Sequence, residues 1–188
     1  MRLKKLVFKL IVLVMIFVII TLSICIFYKK DNKENNYAIL LGNPLDTSIT
    51  IEYDDTFTSE FMSSSYLIKM FTNDASKSVD GKLIKLSNLI KKADIVILNI
   101  GKFEIYSLIN MDTNNYDEEI LNRSIDVFLN HLDSIINNIK QIKENISIYV
   151  CNIKYPTQVF DKNLASIFNS LNESINEKVN KNDVKILA

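Results

Sequence analysis

The side chains best placed for chemistry follow three short apolar segments of the chain. The segments are Tyr37–Leu41, Asp94–Ile100 and Ile146–Val150. Their apolar, β-branched composition and the turn or polar residues after them predict buried strands. The polar side chains that follow them are Asn43, Lys102, Glu104 and Asn152. Because ligands lie at the carboxyl ends of the strands in a parallel α/β sheet, these amides and charges predict a ligand site at one sheet edge.

Three further groups of residues offer chemistry, and each has a simpler structural interpretation. Ser63-Ser64-Ser65 contains hydroxyl nucleophiles, but no Lys or His stands at a recognisable serine-hydrolase spacing from it. His131 lies at the edge of a helical apolar stripe, which favours a structural histidine. The pair Asp54-Asp55, with Glu52 and Glu60 nearby, offers oxygen ligands to a hard cation, but without EF-hand spacing it is more typical of a solvated loop. We expect no metal ion and no cofactor.

The distribution of charge argues against several classes of protein. The chain carries 22 basic and 22 acidic side chains, but six of the basic ones and no acid lie in the first thirty residues. The remainder holds 16 basic against 22 acidic side chains. Such a domain is a poor candidate for binding nucleic acid, whose phosphates are contacted mainly by Lys and Arg. Cys25 and Cys151 define no disulfide framework, and a single histidine argues against a zinc site.

An apolar run without charges, Leu10–Tyr28, predicts one transmembrane helix through which the chain contacts the lipid bilayer. At 1.5 Å per residue this run spans about 28 Å, close to the hydrocarbon core of a membrane. The basic residues within positions 1–9 predict a cytoplasmic flank, so residues 29–36 become a linker and the domain 37–188 faces the extracytoplasmic side. The alternative is a cleaved signal peptide, but Leu22-Ser23-Ile24-Cys25 lacks the small residues of a cleavage site.

The domain alternates strand-like and helix-like segments. Ile49–Tyr53 alternates β-branched and polar residues and predicts a second strand or an extended segment. Apolar spacing predicts helices over Tyr66–Phe71, Leu83–Ile90, Ile120–Ile142 and Leu164–Val179, followed by a final strand at Val184–Leu187. This order predicts an α/β fold, a small three-layer flavodoxin-like parallel sheet with helices on both sides.

The blocks at the strand ends resemble those of the SGNH (GDSL-type) hydrolases, which are small three-layer α/β esterases and lipases. In that family the first strand ends in Gly-Asp-Ser-Leu with a nucleophilic serine, and this chain has Gly42-Asn43-Pro44-Leu45. Lys91–Gly101 resembles the approach to the third block, Gly-x-Asn-Asp, and is followed by Lys102-Phe103-Glu104. The oxyanion glycine of the second block corresponds to Ser65. The resemblance covers Tyr37–Leu187 and implies an ester-hydrolase fold.

The chain departs from the family pattern at the positions that correspond to the family's catalytic residues. Pro44 replaces the nucleophilic serine, and Phe103 replaces the asparagine that donates to the oxyanion. The last family block, Asp-x-x-His, is expected to be missing because the chain ends at Ala188, as in a C-terminally truncated domain or a prematurely ended reading frame. Acyl transfer needs an activated nucleophile, a base and oxyanion donors. The departing positions are Asn43, Pro44, Ser65, Phe103 and Glu104.

Two functions follow from these residues. The first is a membrane-anchored, non-catalytic SGNH-like domain that binds a cell-envelope ligand or a protein partner, with Asn43, Ser65, Lys102, Glu104 and Asn152 as candidate ligand contacts. The second is an active GDSL-type esterase, lipase or carbohydrate-ester hydrolase that acts on envelope lipids or polysaccharides through other residues. A non-functional gene remnant is a third interpretation. The missing serine, asparagine and histidine favour the first function.

Overall fold

The computed structural model describes residues 36–45, 51–79, 81–109, 115–155, 161–182 and 184–187. The predicted transmembrane segment, Leu10–Tyr28, and its flanks therefore lie outside the described residues. Within the described ranges, no helix combines the length and the apolar composition needed to cross a bilayer.

Five parallel strands form the central sheet. The described residues contain seven strands in all, β1 (Ala38–Gly42), β2 (Asp55–Thr58), β3 (Ser76–Val79), β4 (Lys82–Lys85), β5 (Ile95–Asn99), β6 (Ser147–Cys151) and β7 (Lys185–Leu187). The sheet has the order β2-β1-β5-β6-β7, and every neighbouring pair is parallel. This is the flavodoxin-like order, and it confirms the predicted α/β class and parallel sheet. The remaining strands, β3 and β4, form an antiparallel hairpin.

The longest helix organises the helical layer. The described residues contain five helices, α1 (Ser64–Thr72), α2 (Leu86–Lys92), α3 (Lys102–Tyr106), α4 (Glu118–Ile142) and α5 (Lys162–Lys181). Asp117 caps α4 by accepting a hydrogen bond from the N–H of Ile120, and Asp161 caps α5 in the same way. The buried stripe of α4 runs from Leu121 to Ile139, and α4 contacts each of the other four helices. The stripe was predicted from the sequence and is confirmed.

All five helices contribute to a single hydrophobic core on one face of the sheet. That core contains Ile39, Leu41, Val96 and Leu98, whose alternation along β1 and β5 places them on the same face. The connections that carry these helices all advance in one direction across the sheet, so right-handed crossovers put them on one side. The connection from β1 to β2 runs the opposite way and contains no helix among its described residues. The predicted helical layer on the second face therefore stays a prediction.

Two local elements begin later in the chain than their patterns indicate. The second strand is Asp55–Thr58, and of the two alternatives for Ile49–Tyr53 the strand is not seen in the described part, residues 51–53. Leu83 lies in β4 and is exposed, so the helix that it was expected to begin starts at Leu86. In both cases a short apolar pattern fits more than one local structure, and tertiary pairing decides between them.

Candidate functional site

The residue at the end of β1 is built into the scaffold rather than exposed to a ligand. Asn43 is 3% exposed, and its amide nitrogen donates to the carbonyl oxygens of Ser59, Glu60 and Met62 at 3.1, 3.3 and 3.2 Å. Its backbone N–H donates to the Asn99 carbonyl at 2.5 Å. Asn43 therefore holds the segment that leads into α1, and it does not line the cleft described below.

The glycine before Asn43 permits this close arrangement. Gly42 has a φ of 111°, and a Cβ built on it would stand 2.2 Å from the backbone oxygen of Asn99. Only glycine adopts that φ without strain and leaves room for the neighbouring strand. The Asn99 amide also donates to the carbonyl oxygens of Asn43 and Pro44 at 3.2 and 2.8 Å. The ends of β1 and β5 are thus tied together, with Pro44 exposed beside them.

The start of α1 brings together two residues that lie far apart in sequence. Ser63 caps the helix by accepting a hydrogen bond from the Tyr66 N–H at 3.1 Å. The next residue, Ser64, is 1% exposed, and its Oγ lies 2.8 Å from Nδ1 of His131 on α4. The backbone N–H of Ser64 donates to the carboxylate of Glu104 on α3. Three helices therefore meet at Ser64.

A cleft of about 380 Å³ opens at this junction. Its polar lining consists of Ser64, Ser65, Glu104, Ser107, Ser124 and His131, with Arg123 near its edge. Its apolar lining consists of Phe103, Leu108, Ile120, Val127 and Phe128. Of the residues predicted to contact a ligand, the structure brings Ser65 and Glu104 together here, and it adds Phe103.

Glu104 holds the polar end of the cleft, but one of its oxygens has no partner. One carboxylate oxygen, Oε1, accepts from the Ser64 N–H. The other, Oε2, is shielded from solvent and has no hydrogen-bond partner among the described residues. An unpaired, shielded carboxylate oxygen is costly unless a hydrogen-bond donor reaches it.

An apolar rim surrounds the mouth of the cleft. Phe61 is 71% exposed, and its ring meets that of Phe103 edge to face with centroids 5.9 Å apart. Ile120 and Val127, two helical turns apart on α4, are 47% and 49% exposed. Single exposed apolar residues are ordinary on protein surfaces. Phe103, Ile120 and Val127 instead line one opening, and Phe61 contacts Phe103 beside it.

The other two predicted ligand residues lie outside this cleft. The ammonium of Lys102 lies 5.6 Å from the centre of the Tyr106 ring. The backbone N–H of Asn152 donates to the Leu187 carbonyl at 3.0 Å, which ties the end of β6 to β7. The residues of the ligand site predicted along the strand ends are therefore divided, and Ser65 and Glu104 line the cleft described above.

The acidic pair considered for a cation has structural partners. The Asp54 carboxylate accepts from the Ala38 N–H at 2.8 Å, and Asp55 forms an ion pair with Lys77. Burial alone would raise the pKa of Asp55, but hydrogen bonds from Lys77 and from the Thr56 N–H, with the charge of Lys77, hold this pKa below its ordinary value. Among the described residues, no group of three His, Cys, Asp or Glu side chains is placed to hold a metal ion.

Sequence reasoning missed the contact between Ser64 and His131. The helical spacing correctly placed His131 at the edge of the α4 stripe, and it is half-buried there. The two residues are 67 positions apart, and only the packing of α1 on α4 joins them. A serine hydroxyl at 2.8 Å from an imidazole nitrogen has the spacing of a nucleophile and its base. The carboxylate that would orient such a base bonds instead to the Ser64 N–H.

Comparison with protein-family models found no family that matches this chain, and comparison with curated proteins found no match. The fold and the cleft therefore carry the functional argument.

Proposed function

We propose that this chain is a membrane-anchored, extracytoplasmic SGNH-hydrolase-like domain that binds a cell-envelope ligand or a protein partner without hydrolysing esters. The observation that supports binding is the open cleft beside Ser65, Phe103 and Glu104, at the positions of two family blocks. A cleft of a few hundred Å³ with mainly apolar walls and a few polar groups is typical of a small-molecule site.

The loss of catalysis is supported by the residues at the first block. Pro44 has no nucleophilic atom, and the Asn43 amide is saturated by backbone carbonyls. Phe103 offers an aromatic ring where the family has an oxyanion donor. Removing one oxyanion donor alone typically lowers a rate about 10²–10³-fold. The family mechanism therefore has neither its nucleophile nor its side-chain donor in this domain.

The location rests on the apolar run Leu10–Tyr28 and on the basic residues before it. An N-terminus-in orientation places the domain on the outer surface, close to envelope ligands. Protease added to intact cells should degrade the domain, with a cytoplasmic protein of the same cells as the control for lysis. Complete protection of the domain in intact cells, followed by degradation after permeabilisation, would overturn this orientation.

A second candidate function is ester hydrolysis by the Ser64–His131 pair. The distance of 2.8 Å between Ser64 Oγ and His131 Nδ1 favours it, because a base at this distance can take the serine proton. Two observations weigh against it. Ser64 is almost fully buried, and the Glu104 carboxylate bonds to its backbone rather than to the imidazole.

One assay separates the two candidates. The purified full chain in detergent is incubated with p-nitrophenyl acetate and, separately, with a fluorophosphonate probe that labels activated serines. We expect neither turnover above the rate without protein nor labelling. Turnover and labelling that disappear in Ser64→Ala, and persist in the matched exposed-serine control Ser170→Ala, would establish the second function and overturn the first.

A further inference from the structure

We propose that the cleft binds an amphiphile with a hydroxyl head and an apolar chain, the head at Glu104 and the chain along Phe103, Ile120 and Val127. This inference deepens the proposed binding function and rests on it. The cleft divides into a polar end and an apolar wall, and the ligand must match both.

The polar end calls for a hydrogen-bond donor. Glu104 uses Oε1 for the Ser64 N–H, while Oε2 lacks a partner among the described residues. Because Oε2 is shielded from solvent, binding requires the Glu104 carboxylate to turn about its soft terminal torsion until an oxygen faces the cleft that this residue lines. A ligand hydroxyl can donate to the carboxylate and also bond with the hydroxyl of Ser107, which is exposed and lines the same cleft.

The charges in the cleft favour a neutral head. The Glu104 carboxylate opposes a ligand carboxylate or phosphate. Arg123, at the edge of the cleft, is paired with Glu119, and His131 is bonded to Ser64. A bound ammonium would lose its own hydration for one shielded carboxylate, and such burial of charge is rarely a net gain. A hydroxyl satisfies the carboxylate without adding charge.

The wall calls for an apolar chain rather than a sugar. Ile120, Ser124, Val127 and His131 follow one another along one face of α4, at intervals of three or four residues. Ile120 and Val127 are therefore about 10 Å apart along the helix axis. A chain laid against them also covers the exposed ring of Phe103. A glycan would need several polar partners along its length, whereas this wall is mainly aliphatic and aromatic.

The test uses small soluble probes and the full chain in lipid nanodiscs, with empty nanodiscs as the blank. Binding is measured by saturation-transfer NMR for hexane-1,2-diol, glycerol, hexanoate and glucose. We expect a saturable signal from the diol, with glycerol more than tenfold weaker because each buried methylene contributes about fourfold in affinity. Hexanoate should not bind at neutral pH. No saturable binding of the diol, or glucose binding more tightly than the diol, would overturn the inference.

Variants connect this binding to the named residues. Val127→Ser shortens the wall and should weaken the diol at least fourfold. Glu104→Gln can still accept the Ser64 N–H but removes the charge, so it should allow hexanoate to bind. Leu83→Ser, at a 78% exposed position of the β3–β4 hairpin, is the matched control and should change nothing. Equal effects of Val127→Ser and Leu83→Ser, or continued exclusion of hexanoate by Glu104→Gln, would refute the assignment of the site.

The two proposals fail in different ways. Loss of diol binding with no ester turnover would reject the amphiphile and leave a non-catalytic binding domain. Turnover that depends on Ser64 would reject the non-catalytic function, whichever probes bind. The source of the ligand is a separate arm of the test. Monoacylglycerol incorporated in the nanodisc should displace the diol if the natural ligand is a membrane lipid, and should leave the diol bound if the natural ligand is a free alcohol.

Discussion

Replacement of Asn43 by alanine tests whether this residue is a structural anchor. The change removes the amide that donates to three backbone carbonyls, those of Ser59, Glu60 and Met62. The Met62 bond is buried, whereas the bonds to Ser59 and Glu60 are only partly buried. The variant therefore leaves one carbonyl without a partner in the interior and two others that water can reach.

The expected loss of stability follows from these bonds. The buried carbonyl of Met62 costs about 1–3 kcal/mol when left unpaired, and each of the other bonds contributes about 0.5 kcal/mol or more. Asn43 also carries a buried Oδ1 without a partner among the described residues, and its removal returns about 1 kcal/mol. The net loss is about 2 kcal/mol, which corresponds to a fall in Tm of about 4–8 °C for a domain of this size.

Urea unfolding of the full chain in detergent, followed by circular dichroism at 222 nm, measures this loss. The matched control is Asn137→Ala, at an exposed position of α4, which should stay within about 0.5 kcal/mol of the parent chain. Asn43→Asp, which introduces the acid of the Gly-Asp-Ser-Leu block that this segment resembles, should cost more than alanine because it directs a carboxylate at three carbonyl oxygens. An Asn43→Ala variant as stable as the control would refute the anchoring role.

Three further outcomes are expected. Gly42→Ala should prevent stable folding, or lower the Tm more than Asn43→Ala does, because its Cβ would meet the Asn99 backbone at 2.2 Å; thermal unfolding followed by circular dichroism checks this. Asp55 has a lowered pKa in the folded state. Its contribution to the free energy of unfolding is therefore present above the unfolded pKa of about 3.9 and is lost as the pH falls through the lower folded value. In Asp55→Asn the urea midpoint should consequently fall less steeply on the acid side of its pH profile. Pro44→Ser should give no p-nitrophenyl ester turnover, because Phe103 still stands where the SGNH resemblance expects an oxyanion donor; turnover in this variant that the parent chain lacks would contradict this expectation.

The sequence predicted the elements whose patterns are long or fully apolar. The apolar residues of α4 recur over 25 residues with a spacing that fits only a helix. The strand β5 is apolar on both faces because it is central in the sheet. The patterns of short segments predicted their secondary structure less well. Residues 51–53 alternate as a strand would, yet the strand forms at Asp55–Thr58, where Lys77 of the hairpin pairs with Asp55. Leu83 has helical spacing from Leu86, but it belongs to a hairpin whose turn is at Gly81.

The candidate site was only partly predictable for a different reason. Strand ends can be identified from local composition, and Glu104, predicted from its strand end as a ligand contact, lines the cleft. Ser64 and His131 meet only because α1 packs on α4, and neither residue carries a local mark of that contact. For Asn43 the position after a strand predicted a ligand contact. In the structure its amide nitrogen instead donates to a backbone carbonyl oxygen, that of Met62.

The anchoring by Asn43 and the shape of the cleft are connected. Asn43 bonds to the carbonyls of residues 59, 60 and 62, and Ser63 and Ser64 follow directly as the cap and first residue of α1. The position of Ser64 in turn sets where the Glu104 carboxylate is bonded. A change at Asn43 should therefore weaken binding of hexane-1,2-diol even at temperatures where the variant is fully folded. Asn43 thus supports the helix that forms the polar end of the cleft.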